Sequence, residues 1–149
     1  MMESLIIVRA GISELDELVP LMDEYRVFYK QSPDPDSARS FLQSRMIKQE
    51  SVIFLAYYNN VPAGFTQLYT SFSSVSLQPI FILNDLFVHK EYRNRGVGAA
   101  LLLKAQEFCK EIGYKGLALE TARDNPAQHL YERLGWEKDS HCFHYFWKL

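Results

Sequence analysis

Leu86-Phe87-Val88, followed by His89-Lys90-Glu91-Tyr92 and then Arg93-Asn94-Arg95-Gly96-Val97-Gly98-Ala99, is the stretch on which the reading of this chain turns. The residues before it, Ile80–Val88, are rich in β-branched and aromatic types and predict a strand. The residues after it predict a helix from about Gly96. Leu101, Ala105, Phe108, Cys109 and Ile112 share one face, Lys104, Glu107, Lys110 and Glu111 lie outside, and Gly113 supplies the stop. A strand therefore feeds a glycine-bearing loop, and the loop feeds a helix N-terminus. The first N–H groups of a helix have no partner inside it, and the helix dipole adds partial positive charge there. Two glycines let backbone approach a ligand without side-chain obstruction, and Arg93 and Arg95 add full charges. Such an arrangement can cradle a pyrophosphate. It could equally be a plain surface turn, and spacing alone leaves both readings open. It is neither the Gly-x-Gly-x-x-Gly of a dinucleotide fold nor the Gly-Lys-Ser/Thr of a P-loop.

Upstream, Leu5–Arg9 predicts a short buried strand. Ser13 stands as an N-cap before acidic first-turn residues, and Leu15, Leu18, Val19, Met22 and Tyr25 recur at helical spacing to about Tyr29, with Pro20 as a source of a kink. The segment Ser32–Ser37 breaks that helix, and Phe41, Leu42, Met46 and Ile47 suggest a second. Val52–Tyr58 and Pro62–Ser73 predict a hairpin turning at Asn59-Asn60. Downstream, Leu117–Thr121 reads as a short strand. Asn125-Pro126 opens a helix that Gly135 ends, and Trp136–Asp139 and Phe143–Lys148 read as closing strands. The order β-α-α-β-β-β-α-β-α-β-β describes one domain over residues 1–149, an α/β chain (α+β in its mixed sheet) with helices on the sheet faces.

The composition, 48% hydrophobic and 23% charged, suits a folded domain rather than a disordered chain. A net charge of −2 with pI near 6.1 argues against a general nucleic-acid binder. The apolar run at the N-terminus is short for a membrane span and lacks the basic start of a signal peptide, so the expectation is a cytoplasmic protein that does not bind membranes. Cys109 and Cys142, without C-x-x-C spacing, are expected to be small buried hydrophobes. His141-Cys142-Phe143-His144 puts His144 and Cys142 on one strand face but offers no third ligand, so no metal is expected.

Arg93-x-x-Gly96-x-Gly98 after a strand resembles the acetyl-CoA signature of the GNAT superfamily of N-acetyltransferases. About thirty positions on, Asn125-Pro126-Ala127 and Leu130-Tyr131-Glu132-Arg133-Leu134-Gly135-Trp136 look like that family's second block, so the resemblance spans essentially the whole chain. It implies splayed fourth and fifth strands making a V-shaped cleft for acetyl-CoA. Pantetheine would pair with the backbone of Leu86, Phe87 and Val88. The loop Arg93-Asn94-Arg95-Gly96-Val97-Gly98-Ala99 would hold the pyrophosphate, chiefly through N–H groups from Arg95 to Ala99. Asn125 matches a position that contacts the pantetheine arm, and it could also cap its helix.

The resemblance further implies direct attack of a neutral amine on a thioester. An alkylammonium of pKa near 10.4 is neutral in only about one part in a thousand near pH 7.4, a cost of roughly 4 kcal/mol that a base would offset. Asp85 is the first candidate for that base and Glu120 the second. Either carboxylate could instead bind the substrate's ammonium, or simply be solvated or ion-paired. Tyr131 matches the family's acid at the departing thiolate, although Ala127, Leu130, Tyr131 and Leu134 also form one packing stripe. Giving a phenol proton to a thiolate runs uphill by roughly 2 kcal/mol, which favours hydrogen-bond donation over full transfer. Glu24, Tyr25 and Tyr29 with Asp85 would meet a cationic acceptor, a small amine or polyamine or the lysine of a basic peptide. The aromatic tail Phe143–Trp147 would be sheet core or the contact of a homodimer. Two other classes compete: a non-catalytic acyl-CoA-binding regulatory domain, and a module that reads adenosine phosphates alone.

Overall fold

The computed structural model describes residues 2–149. Strand β1 (Leu5–Arg9) leads through a 3-10 turn at Ile12–Glu14 into α1 (Leu15–Phe28) and then α2 (Pro35–Ile47). Strands β2 (Ser51–Tyr58), β3 (Val61–Ser73) and β4 (Gln78–Val88) follow as a meander. A 3-10 turn at Lys90–Tyr92 precedes α3 (Val97–Ile112), β5 (Leu117–Ala118) and α4 (Gln128–Arg133). The sheet runs β1-β2-β3-β4-β5, antiparallel except for the parallel pair β4–β5. This is the mixed α/β architecture that the sequence predicts.

Both sheet faces are covered, so β2 carries apolar residues without alternation. Ile53 and Leu55 point to the α1/α2 layer with Leu18, Leu42, Phe65 and Phe87. Phe54, Ala56 and Tyr58 point to α3 with Leu83, Leu101, Leu102 and Cys109. The hairpin turn falls at Asn59 and Asn60, both with positive φ, as a two-residue turn of this type requires.

The helix starts differ in detail from expectation. Ser13 does not cap α1; the Gly11 N–H donates to Glu14 Oε1 at 3.1 Å, within the turn that precedes the helix. The stretch Pro35-Asp36-Ser37 is not loop. Asp34 Oδ1 accepts from the Ser37 N–H at 3.1 Å, and Pro35 opens α2, where its missing donor costs nothing. Pro126 stands two residues before α4 rather than at its first position.

The two closing strands are not formed. Residues 136–149 have no strand pairing, and Phe143, Tyr145, Phe146 and Trp147 are each more than four-fifths exposed. Aromatic residues favour strands only where a pleated surface receives them. Here β5 is two residues long and offers almost no ladder. Cys142 is accordingly exposed, against expectation, while Cys109 is buried.

Two features fix the shape of β4. Its register against β3 slips between Gln67↔Asp85 and Leu68↔Leu83, which leaves Asn84 as an extra residue. Before this bulge Phe81 and Leu83 face α3; after it Asp85 and Phe87 face α1. Second, Gly64 lies against the strand, where an added Cβ would sit 2.6 Å from the Phe87 carbonyl oxygen. Gly64→Ala is expected to destabilise the fold by about 1–3 kcal/mol through this overlap. Gly116→Ala, with nothing within 4 Å, should change stability by less than about 0.5 kcal/mol. Denaturant unfolding of both variants makes the comparison.

Candidate active site

Strand β5 touches β4 only at Phe81↔Leu117 and Ile82↔Ala118. From Leu83 to Val88 the outer edge of β4 has no strand partner, so the backbone groups there face an opening between diverging strands. This is the cleft anticipated from the sequence, with Leu86 and Val88 half-buried and Phe87 buried in the α1 layer.

At the end of β4 the chain makes its loop. His89 Nδ1 accepts from the Glu91 N–H at 3.1 Å, starting the 3-10 turn. Asn94 and Gly96 both have positive φ, at 62° and 81°. The N–H groups of Arg95, Gly96, Val97, Gly98 and Ala99 have no hydrogen-bond partner among the described residues. Gly96 has open space where a Cβ would be. A concentrated set of free donors at the start of a sixteen-residue helix fits an anion. Gly98 has a different surrounding: it lies beside Leu130 of α4, where a Cβ would make ordinary contact at 3.4 Å. The two arginines turn away from the free N–H groups. Arg93 Nε donates to the Val88 carbonyl at 3.0 Å, its guanidinium 5.8 Å from the rings of Phe28 and Phe87. Arg95 lies 5.4 Å over the ring of Tyr58.

Asp85 is the one buried carboxylate among the described residues, 5% exposed. Gln67 Nε2 donates to its Oδ2 at 2.7 Å and Asn84 Nδ2 to its Oδ1 at 3.1 Å. No cation pairs with it among the described residues. Burial raises its pKa above the ordinary 3.8, and the contacts with Gln67, Tyr25 and Asn84 partly oppose the rise. Tyr25 reaches down from α1, its hydroxyl 3.4 Å from the Asn84 carbonyl as donor. Burial, then the charge and hydrogen bonding of Asp85, hold that phenol far above its usual range.

Tyr131 stands on α4 at the far side of the cleft, its ring 6.1 Å from that of Trp136, which is tied to α3 by Nε1 donating to Gln106 Oε1 at 3.0 Å. Burial and the proximity of Tyr29 raise its pKa, while Thr121 opposes the rise. The rings of Tyr25 and Tyr29 meet edge-on at 5.0 Å, so Asp85, Tyr25 and Tyr29 stand together on the α1 side of the cleft. Glu24 is exposed on α1 with its carboxylate 3.6 Å from His89 Nε2. Glu120 is not drawn into this group. It lies past the end of β5, exposed, with Oε1 3.2 Å from His144 Nδ1. Asn125 Oδ1 accepts from the Ala127 N–H at 2.9 Å, which leaves its amide N–H groups available. Among the described residues no cluster of His, Cys, Asp or Glu could hold a metal ion.

Three residues of the site escape the sequence reading: Gln67 and Thr66 of β3 and Asn84 of β4. Thr66 Oγ1 donates to the Asp85 carbonyl at 2.8 Å, and both β3 residues are fully buried. The available signal is a polar pair, Thr66-Gln67, flanked by the apolar residues Phe65 and Leu68.

The sequence matches the Acetyltransferase (GNAT) family over residues 17–136. It is 44% identical to an uncharacterised N-acetyltransferase, YhfO, of Bacillus subtilis, over 92% of this chain and 93% of that protein. It is 34% identical to streptothricin acetyltransferase A of the same organism, over 71% of this chain and 57% of that protein. A crystal structure of a probable acetyltransferase superposes with a TM-score of 0.91 at 39% identity, covering 97% of each chain. The chain belongs to the GNAT family and is an acetyltransferase. No helix among the described residues is long and apolar enough to cross a membrane.

A carboxyl group whose folded pKa is raised binds protons more readily in the folded than in the unfolded chain. Between the unfolded value near 3.8 and the higher folded value, its contribution to stability falls as pH rises. Wild-type stability relative to Asp85→Asn is therefore expected to decrease as pH rises from about 4. Parallel denaturation curves across pH read this slope, and a flat difference would remove the raised ionisation.

Proposed function

We propose that the chain transfers the acetyl group of acetyl-CoA directly to a primary amine of a small cationic molecule, in a ternary complex and without an acyl-enzyme. The observation that carries this reading is the buried, cation-free Asp85 at the margin of the open β4 edge, ringed by phenols. Acetyl-CoA fits the residues present. The free N–H groups from Arg95 to Ala99 suit its pyrophosphate, Gly96 leaves room for it, and the unpaired edge at Leu86, Phe87 and Val88 suits an extended amide-bearing arm. Asn125 can add a donor from the α4 side. The cosubstrate supplies the acetyl group as a thioester, already activated toward a neutral amine.

The chain's residues supply position and proton management. Asp85 takes the ammonium proton onto a carboxylate oxygen, and its raised pKa narrows the gap to the ammonium it must deprotonate. Tyr25 of α1 and Tyr29 just past its end present an aromatic wall, with Glu24 nearby on the same helix, that suits a cation by charge and by cation–π contact. Tyr131 keeps its proton, since its pKa is raised, and acts as a hydrogen-bond donor at the position of the departing sulfur. Glu120, exposed and beside His144, has no part in this scheme. Glu24 and the Tyr25–Tyr29 ring pair suit a compact polyamine or amine by charge and by cation–π contact. The relative named for streptothricin is consistent with a small-molecule acceptor. The setting is cytoplasmic, where acetyl-CoA is made, and the exposed tail aromatics are the surface for a homodimer.

Thiol release from acetyl-CoA in the presence of polyamines, aminoglycosides, amino acids and lysine peptides tests the proposal. Release is expected with the small polycationic amines, and release confined to lysine peptides would overturn the acceptor class. Tyr131→Phe should lower kcat by about a hundredfold while changing the Kd for acetyl-CoA less than about twofold. Single-turnover rates with calorimetry separate the two effects, and unchanged turnover would end the assignment.

A further inference from the structure

We infer that Gln67 is the positioning residue that sets the ionisation of Asp85, holding its carboxylate through a buried amide reserved for that purpose. The inference rests on the reading of Asp85 as the proton acceptor, and it adds a residue with no part in that reading. Gln67 lies in the middle of β3, fully buried, between Phe65 and Leu68 on the strand that pairs with the bulge. A buried amide is costly unless its hydrogen bonds are met. Yet only half of this one is used: Nε2 donates to Asp85 Oδ2 at 2.7 Å, whereas Oε1 is buried without any partner. An apolar side chain of the same length would pack at this position without the orphaned oxygen. What Gln67 provides that an apolar residue would not is a donor to the carboxylate.

That donor matters because of what else surrounds Asp85. Tyr25 from α1, Asn84 from β4 and Tyr69 from β3 face it, and beyond Tyr69 stand Arg45 and Glu50. None of these is a cation in contact with the carboxylate. The charged form is therefore held by neutral donors alone, and the Gln67 bond, at 2.7 Å, is shorter than that from Asn84 at 3.1 Å. A bond to the charged form favours it and lowers the pKa against the upward pull of burial. Gln67 thus keeps a buried acid ionised enough to accept a proton. When Asp85 takes that proton, the unpartnered Oε1 is the acceptor that a turned amide can present to the new O–H. The proton is the only atom whose covalent partner changes; the amide only rotates.

Gln67→Met, close in length and apolar, tests this. Removal of the donor is expected to move the acid limb of kcat/KM to higher pH by about one unit, with the rate recovering above the limb. The KM for acetyl-CoA should be unchanged. A purely packing role would lower the rate evenly at all pH values, and that result would overturn the inference. Gln67→Glu keeps the shape but brings a second carboxyl group, so it should move the limb further in the same direction. Carbon-13 titration of the Asp85 carboxyl in both variants gives a readout independent of turnover. An unmoved carboxyl titration overturns the role of Gln67. If the carboxyl moves while the kinetic limb stays, the role of Gln67 stands and the assignment of Asp85 as the base falls.

Discussion

A single inserted residue, Asn84, determines which way the chemistry of this protein faces. Side chains on a regular strand alternate with period two, and the bulge breaks that alternation, so odd-numbered residues face one layer before it and the other layer after it. Without the bulge, Asp85 would continue the row of Phe81 and Leu83 into the α3 core, a carboxylate buried with no polar partner. With it, Asp85 stands opposite Gln67 and below Tyr25, and Phe87 joins the core under α1. The bulge also increases local twist in the strand. That is in keeping with β4 leaving β5 after only two residue pairs.

The remaining architecture anchors the two walls of the resulting opening in different ways. On one side α1 is set by its apolar stripe of Leu15, Leu18, Val19 and Met22 against β2 and β3. On the other, α4 is short and contributes no fully buried residue. Its position rests on Leu130 lying against Gly98 and on Trp136 bonded to Gln106 of α3. One wall is thus anchored in the core and the other hangs from α3, the helix whose first turn also carries the free N–H groups.

Much of this was legible in the sequence because it follows from periodicity and punctuation. Helical spacing in 97–112, the Asn59-Asn60 turn and the apolar run of β2 each specify local structure through short-range physics. The glycine loop was legible for the same reason, since Gly96 at positive φ before a helix is a local requirement. Gln67 and Asn84 were not, because a bulge is a property of two paired strands. Its register is settled by which residues find burial across the ladder, which a single strand's sequence does not state. The tail misled for the related reason that aromatic residues such as Phe143 and Trp147 signal a strand only when a neighbouring strand exists to receive them.

The bond from Arg93 to the carbonyl of Val88 changes how affinity at this edge is to be understood. The last acceptor of β4 already has a donor, and a ligand arm that took the place of Arg93 there would make an exchange rather than an addition. It gains one bond to Val88 and releases a guanidinium that also rests on Phe28 and Phe87. The released side chain is then free to swing toward whatever negative charge the ligand has brought to the α3 N-terminus. A ligand that reached both the strand end and the loop would meet Arg93 at each, so its two contacts would be coupled through that one residue.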